Sequence, residues 1–453
     1  MFSPGAWLIL SGAVASSLVF LLWPAPARSG RAFWIFSPPN VKLYEAALDN
    51  WNAQHPRPAE QTHLALIHYQ ALERRLVAAF TSDAPVADLV ETEGLLMARL
   101  FGGPVEDVGF VDLTDRIRAE GLNDAIVPAA FSQWTTRGHI FGLPHDLNPC
   151  LLAYRADIVE AAGIDVGQIE TWNDFRRVLA PLIQDFDGDG RPDRFLLNFW
   201  ESQRDLADAL LLQAGGELFD QNDQLTLASE ANARTLAALV GWLAGPERFC
   251  VDAPEFTAGG DRMRLDGTVI ASVLPDWQAG TWKNYIPGLA GKVKLMPLPA
   301  WTRGGLRTTV WGGTAVGIAK AAPNVELSWK LAKHLYLSPQ IAEQLFRTTC
   351  ILSPVKAHWE LPVYHQPDAY FSGQRIGEMF IAQAPHVPAR RSSPYRQLAM
   401  ERVTSALIAL KAYAVAHDRF DSAFLLPEAR RLLAEQQQDL AARIARNVLY
   451  RLP

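Results

Sequence analysis

The densest chemistry in the chain is an acidic run, Asp185-Phe186-Asp187-Gly188-Asp189-Gly190-Arg191-Pro192-Asp193. Oxygen ligands at loop positions one, three and five (Asp185, Asp187, Asp189), glycine at six, the Arg191 carbonyl at seven and Asp193 at nine match the first part of a calcium loop. Carboxylates packed this closely repel one another without a cation. Position twelve is Leu196, where such loops carry a bidentate glutamate. The run therefore reads as a weak structural calcium site that needs water or a distant ligand, the alternative being a solvated Asp/Gly turn. No other cofactor is required.

A second set of residues suits hydroxyl-rich ligands, which present apolar C–H faces and a rim of polar groups. Aromatic faces stack on the former, while carboxylates, amides and backbone groups fix the latter. Trp277 follows an apolar strand in Leu274-Pro275-Asp276-Trp277-Gln278-Ala279-Gly280. Trp311 precedes Gly312-Gly313, a pair that lets backbone approach a ligand closely. Trp200-Glu201 and Trp282 are weaker candidates, since a Trp beside a helix start is usually packing. Glu91 and Thr92 follow the Ala87–Val90 strand, and strand C-terminal ends are where open α/β sheets bind ligands. His145 reads as structural and Arg390-Arg391 as a solvated surface pair. No GxSxG, HExxH or Walker loop is present. A carbohydrate hydrolase built on Glu91, Asp146 or Glu201 stays open as a minor alternative.

These residues need a scaffold, and 453 residues at ~100–200 per domain allow two or three domains. A 49% hydrophobic, 20% charged composition is that of a folded chain, and a net charge of -6 removes the basic face that nucleic-acid binding needs. Cys150, Cys250 and Cys350 show no ligand spacing and read as reduced and buried. The first 27 residues carry no ionisable side chain, and Gly5 to Trp23 is apolar, followed by Ala25-Pro26-Ala27. Residues 1–30 thus read as a signal peptide or a membrane anchor over residues 5–23, placing the rest in the periplasm or outside the cell.

Beyond that segment the pattern alternates. Ala32–Phe36 reads as a strand, Tyr44 to Trp51 as a helix stopped at His55-Pro56, Thr62–His68 as a strand, Leu72 to Phe80 as a helix and Val86–Val90 as a strand. The middle carries helices at Trp172–Ile183, Asp205–Ala214 and Ala231–Leu243, with a strand at Val269–Leu274. Strands at Lys292–Leu298 and Thr314–Ile318, a helix over Leu327 to Leu335 and a helical stretch from Pro427 complete the reading. The alternation predicts open α/β sheets with crossover helices.

The order of short signatures resembles the extracellular solute-binding proteins of ATP-driven (ABC) sugar importers, the family of maltose-binding protein. It runs through Asn52-Ala53-Gln54-His55-Pro56, Ala87-Asp88-Leu89-Val90, Phe141-Gly142-Leu143-Pro144 and Leu152-Ala153-Tyr154-Arg155. It continues through Thr171-Trp172-Asn173-Asp174-Phe175, Ala214-Gly215-Gly216-Glu217-Leu218-Phe219, Trp311-Gly312-Gly313 and Val316-Gly317-Ile318-Ala319-Lys320. The resemblance implies an α/β, two-lobed periplasmic-binding-protein-like (type II) fold with hinge-linked lobes. By that likeness residues 31–146 with 293–343 form the N-lobe and 147–292 with 344–453 the C-lobe, the chain crossing near Pro144–Leu151, Lys292 and Gln344. It also implies that Trp277 stacks on the ligand and that Asp146 and Asn148 face the hinge. The expected role is to bind a sugar or similar polar solute in the interlobe cleft, as a monomer without covalent catalysis, and to deliver it to a membrane permease of an ABC transporter. A solute-sensing partner of a membrane receptor would use the same fold.

Overall fold

The computed structural model describes Ser3, Gly5, Ser11, Gly12, Val14, residues 30–82 and residues 84–448. The expected signal peptide or anchor over residues 5–23 lies outside the described residues apart from Gly5, Ser11, Gly12 and Val14. Among the described residues no helix is long and apolar enough to cross a membrane.

The strands are β1 (Arg31–Ile35), β2 (Thr62–Leu66), β3 (Leu89–Glu93), β4 (Thr135–Thr136), β5 (His139–Ile140), β6 (Leu143–Pro144), β7 (Cys150–Arg155), β8 (Phe195–Asn198), β9 (Cys250–Val251), β10 (Val269–Pro275), β11 (Val293–Pro297) and β12 (Thr314–Ile318). One five-stranded sheet has the order β2-β1-β3-β12-β6 and the other β11-β7-β10-β8-β9, while β4 and β5 form a small antiparallel pair. In the first, β1 pairs in parallel with β2 and β3, and β12 runs antiparallel between β3 and β6. In the second, β8 is parallel to β9 and β10, and β7 lies antiparallel between β10 and β11.

Both sheets are covered on both faces, and strand periodicity shows it. In β1, Phe33 and Ile35 enter one core while Trp34 enters another; in β7, Leu151 and Ala153 face one core and Cys150, Leu152 and Tyr154 the other. Side chains alternate across a strand, so a wholly apolar strand signals a sheet sandwiched between helices. The Thr171-Trp172-Asn173-Asp174 signature is a capping box: Thr171 accepts from the Asp174 amide while Asp174 accepts from the Thr171 amide, opening the helix Trp172–Leu179.

Two antiparallel segments carry the chain between the sheets. β6 pairs with β12, Pro149 bridges to Val310, and the Cys150 amide donates to the Thr309 carbonyl at 3.1 Å. Residues 145–149 and 308–313 thus form a doubled hinge. The expected return crossing at Lys292 is displaced: β11 pairs with β7 along its length, so the chain leaves the second sheet after Pro297 rather than before residue 293. Around the third expected crossing the helix Pro339–Thr349 touches both the helix Val41–Gln54 and the helix Asp276–Tyr285. The C-terminal helices Arg396–His417 and Ser422–Ile444 pack on each other and on the helix Glu230–Leu243. The last helix begins before the expected Pro427, because Asp421 caps it by accepting from the Phe424 amide.

Candidate functional site

Five sequence-chosen residues meet at the hinge. Trp277 sits in the first turn of the helix Asp276–Tyr285, at the C-terminal end of β10, and its indole Nε1 donates to the Trp311 carbonyl at 2.8 Å. The Trp311 ring stands edge-on to it, centroids 6.1 Å apart at 86°. Gly312 and Gly313 hold φ of 108° and 136°, where a Cβ would lie 2.8 Å from Trp277 Nε1 and 2.2 Å from Gln133 Nε2. The glycine pair is therefore needed, although the close approach it permits is to these two side chains. Asn148 completes the group at φ 54°, a left-handed value that asparagine tolerates, with its side-chain amide beside Gly312.

Trp277 opens on a pocket of about 360 Å³. One wall is Ser37–Asn40, following β1 of the first lobe; the other is Trp277, Thr281, Asn284 and Tyr285, with Thr349 and Ile351 between them. A second gap, about 320 Å³, separates Tyr69, Glu73 and Arg99 of the first lobe from Arg204, Asp205 and Met400 of the second. Both lie where strands of an open sheet end, the usual position for a ligand. A larger cavity of about 700 Å³ lies among residues 127–138, 220–223 and 385–392, but no Trp or Tyr lines it. The Trp277 pocket is the better candidate, because it alone of these three holds a Trp and a Tyr facing residues of the other lobe, whereas the largest has Phe131 as its one aromatic.

Other expected site residues are elsewhere. Glu91 and Thr92 are fully buried, because β3 is a central strand covered on both faces. Glu91 accepts from the Tyr336 hydroxyl at 2.9 Å, and burial pushes its carboxyl up to about 7 against the lowering effect of Tyr336 and Tyr44. Asp146 does sit in the hinge, but buried, accepting from the Thr314 amide at 2.9 Å; burial raises it to about 7 as well. His145 beside it is held neutral by burial, down to about 3, its Nε2 3.6 Å from Asp146. Trp282 is a core residue under the Arg264 guanidinium rather than a cleft wall. Trp200 lies under the Lys411 ammonium at 4.6 Å, and Glu201 pairs with the same lysine, so the second lobe's own helix engages both. Glu91, Asp146 and Glu201 do not assemble as a carboxylate pair facing an open pocket. Cys150, Cys250 and Cys350 are buried and free.

Arg390 and Arg391 do not form the expected solvated surface pair. Arg390 is buried, donating to Asp208 at 3.0 Å, and Arg396 donates to the same carboxylate at 2.6 Å. Burial alone would raise Asp208, but the two guanidiniums hold it below the usual range. Arg391 is half-exposed and faces Glu217 at 3.4 Å.

Sequence reading missed Gln133 and Glu255. Gln133 Nε2 donates to the Gly312 carbonyl at 2.8 Å while its Oε1 accepts from Arg390. Glu255 accepts from Asn198 at 2.7 Å, from Gln278 at 2.5 Å and from Arg264. The buried amide oxygens of Asn148, Gln203 and Gln278 around this network have no protein donor. Neither residue stands in a recognisable motif; Gln278, one residue after Trp277, was the available signal.

In the acidic loop, oxygens of Asp185, Asp187 and Asp193 lie within 4.8 Å of one another, a hard-oxygen set that suits calcium, while Asp189 is not part of that group. The Asp185 oxygens already accept from the Gly188 and Gly190 amides at 2.7 and 2.8 Å, and the three residues are exposed.

The bacterial extracellular solute-binding protein model matches residues 38–341. An arabinooligosaccharide-binding protein of Halalkalibacterium halodurans is 24% identical over 372 residues, 80% of each chain. Among solved structures, the sugar-binding protein MalE of Xanthomonas citri superposes with TM-score 0.71 at 17% identity, covering 92% of this chain and 99% of that one. The transporter-associated binding protein of B. animalis subsp. lactis in complex with β-1,6-galactobiose gives TM-score 0.64 at 17% identity, covering 92% and 98%. These neighbours carry the same two-lobed fold. The match over residues 38–341, with two sheets joined by a doubled hinge, places this chain in the bacterial extracellular solute-binding protein family.

Proposed function

We propose that the chain binds a neutral sugar or oligosaccharide between its lobes and presents the closed form to an ABC permease outside the cytosol. One observation carries the reading. The half-buried Trp277 faces a pocket of about 360 Å³ whose opposite wall, Ser37–Asn40, belongs to the other lobe. A sugar stacked there would touch both lobes at once, and contacts made only in the closed state are what drive closure. The likeness to an arabinooligosaccharide-binding protein points to the same substrate class.

Thermal unfolding across a panel of neutral sugars tests this. A ligand at 100 times its dissociation constant is expected to add about 2.7 kcal/mol of stability. Trp277→Ala is expected to keep the fold and weaken binding at least tenfold, about 1.4 kcal/mol. Sugar binding of unchanged strength in that variant refutes the stacking role.

The Asp185–Asp193 loop is proposed separately as a weak structural calcium site. Calcium is expected to raise the unfolding temperature slightly, and Asp185→Asn to abolish that rise. No rise in the unaltered chain removes the proposal.

A further inference from the structure

The cavity of about 700 Å³ shares no lining residue with the Trp277 pocket. Residues 127–138 of the first lobe, 220–223 of the second and the segment 385–392 enclose it. Its volume lies within the ~300–1,000 Å³ typical of small-molecule sites. Val127, Phe131 and Val387 give it an apolar wall. Two hydroxyls interrupt that wall. Thr136 Oγ1 and Ser392 Oγ are buried, on residues 2% and 4% exposed, and neither has a hydrogen-bond partner. Buried polar groups left unpaired are uncommon and costly, so such a pair points to an occupant.

The charged residues of the cavity are also incompletely matched. Asp220 folds its loop by accepting from the Asn222 and Gln224 amides at 2.8 and 2.9 Å. Asp223, inside that loop, stands at φ 57°, a left-handed value that aspartate tolerates. Its carboxyl accepts no hydrogen bond, and burial pushes it up to about 6 against the pull of Arg137 and Arg391. Arg391 commits only Nε, donating to Glu217 at 3.4 Å, and its two terminal nitrogens make no hydrogen bond among the described residues. Arg137 is anchored by the Phe101 and Gly103 carbonyls at 3.1 and 2.9 Å and adds a fixed positive charge. A carboxylate without donors and a guanidinium fork without acceptors thus line one cavity without pairing to each other.

We propose that this cavity is a second ligand site, for a small zwitterion such as an aliphatic amino acid or short peptide. Its ammonium would meet Asp223, its carboxylate the Arg391 fork, and its apolar body Phe131 and Val387. A guanidinium grips a carboxylate at two points, and an ammonium has three donors, enough for Asp223 and both unpaired hydroxyls. A neutral sugar would leave both charges unmatched, and a simple cation or anion would satisfy one and be repelled by the other. The site does not depend on the sugar reading. It is nonetheless joined to the hinge: Ser132 and Arg391 line the cavity, and their chain neighbours Gln133 and Arg390 bond to each other at 3.3 Å. Gln133 in turn donates to the Gly312 carbonyl at 2.8 Å.

Calorimetric titration of the full chain with leucine and leucyl-leucine tests it, beside two singly charged relatives of leucine, 3-methylbutylamine and 4-methylpentanoate. A zwitterion is expected to bind at least about tenfold more tightly than either relative, the difference one charge-assisted hydrogen bond makes. Asp223→Asn and Arg391→Gln are each expected to weaken the zwitterion about tenfold. Asp223→Asn is expected to leave binding of the acid unchanged, and Arg391→Gln that of the amine. Asp223 and Arg391 are both partly exposed, so the variants are expected to melt like the parent without ligand. No binding of either zwitterion overturns the site. So does an amine or acid that binds as tightly as the zwitterion, or full zwitterion binding in both variants.

Discussion

At the scale of single residues, burial decides which polar groups are available to a ligand and which are structural. Glu91 and Asp146 were attractive by position, yet both are enclosed, and their carboxyls are pushed up from 4.5 and 3.8 to about 7. The folded chain therefore holds protons that the unfolded chain releases as pH rises from the ordinary carboxylate range to about 7. Their contribution is complete at the acid end of that window and lost toward its neutral end. His145, lowered from 6.5 to about 3, acts in the opposite sense, costing stability as pH falls below 6.5. Asp276, also raised by burial, adds to the carboxylate side. Tyr44, Tyr336 and the more distant Glu93 are the other titratable groups facing this cluster. The net expectation is a melting temperature that declines from about pH 5 to about pH 7.5. Glu91→Gln is expected to make that decline shallower, and a decline of unchanged depth would show that Glu91 does not titrate in this range.

At the scale of elements, a buried charge cluster joins the start of the C-terminal helix pair to the second lobe. Asp208, on the helix Arg204–Gln213, is shared between Arg390 and Arg396 in a site closed to solvent. Removing one partner of a buried pair leaves an uncompensated charge, so Asp208→Ala is expected to cost about 3–5 kcal/mol in urea unfolding. A cost within the range of a surface substitution, about 0.5 kcal/mol, would show that the two arginines find other acceptors. In the hinge, Gly313→Ala is expected to force Gln133 away from the Gly312 carbonyl, because the added Cβ would meet its amide at 2.2 Å. Weaker sugar binding with little change in melting temperature would locate that damage in the site. Unchanged binding would show that Gln133 yields freely.

At the scale of the whole molecule, function depends on two sheets held by few connections. The paired segments 145–149 and 308–313 are hydrogen-bonded to each other, so they bend together rather than slide, which suits hinge closure. Small-angle scattering is expected to report a smaller radius of gyration when a bound sugar saturates the protein. An unchanged radius would argue that closure does not accompany binding.

The alternation of strands and helices, the capping box at Thr171 and the family resemblance were legible in the sequence because each rests on local periodicity or a short motif. Trp277 and Trp311 were legible for the same reason: an aromatic after an apolar strand, and one before a glycine pair, are local signals. The long helix Arg396–His417 was not, since apolar residues surround it and leave no clear stripe. Only tertiary structure could show that β11 belongs to the second sheet, that β3 is central and seals Glu91, that Arg390 is buried against Asp208, and that Phe256 lies on Trp277. Each of these depends on contacts between residues far apart in the chain, and sheet order and burial are properties of the assembled lobes rather than of any segment.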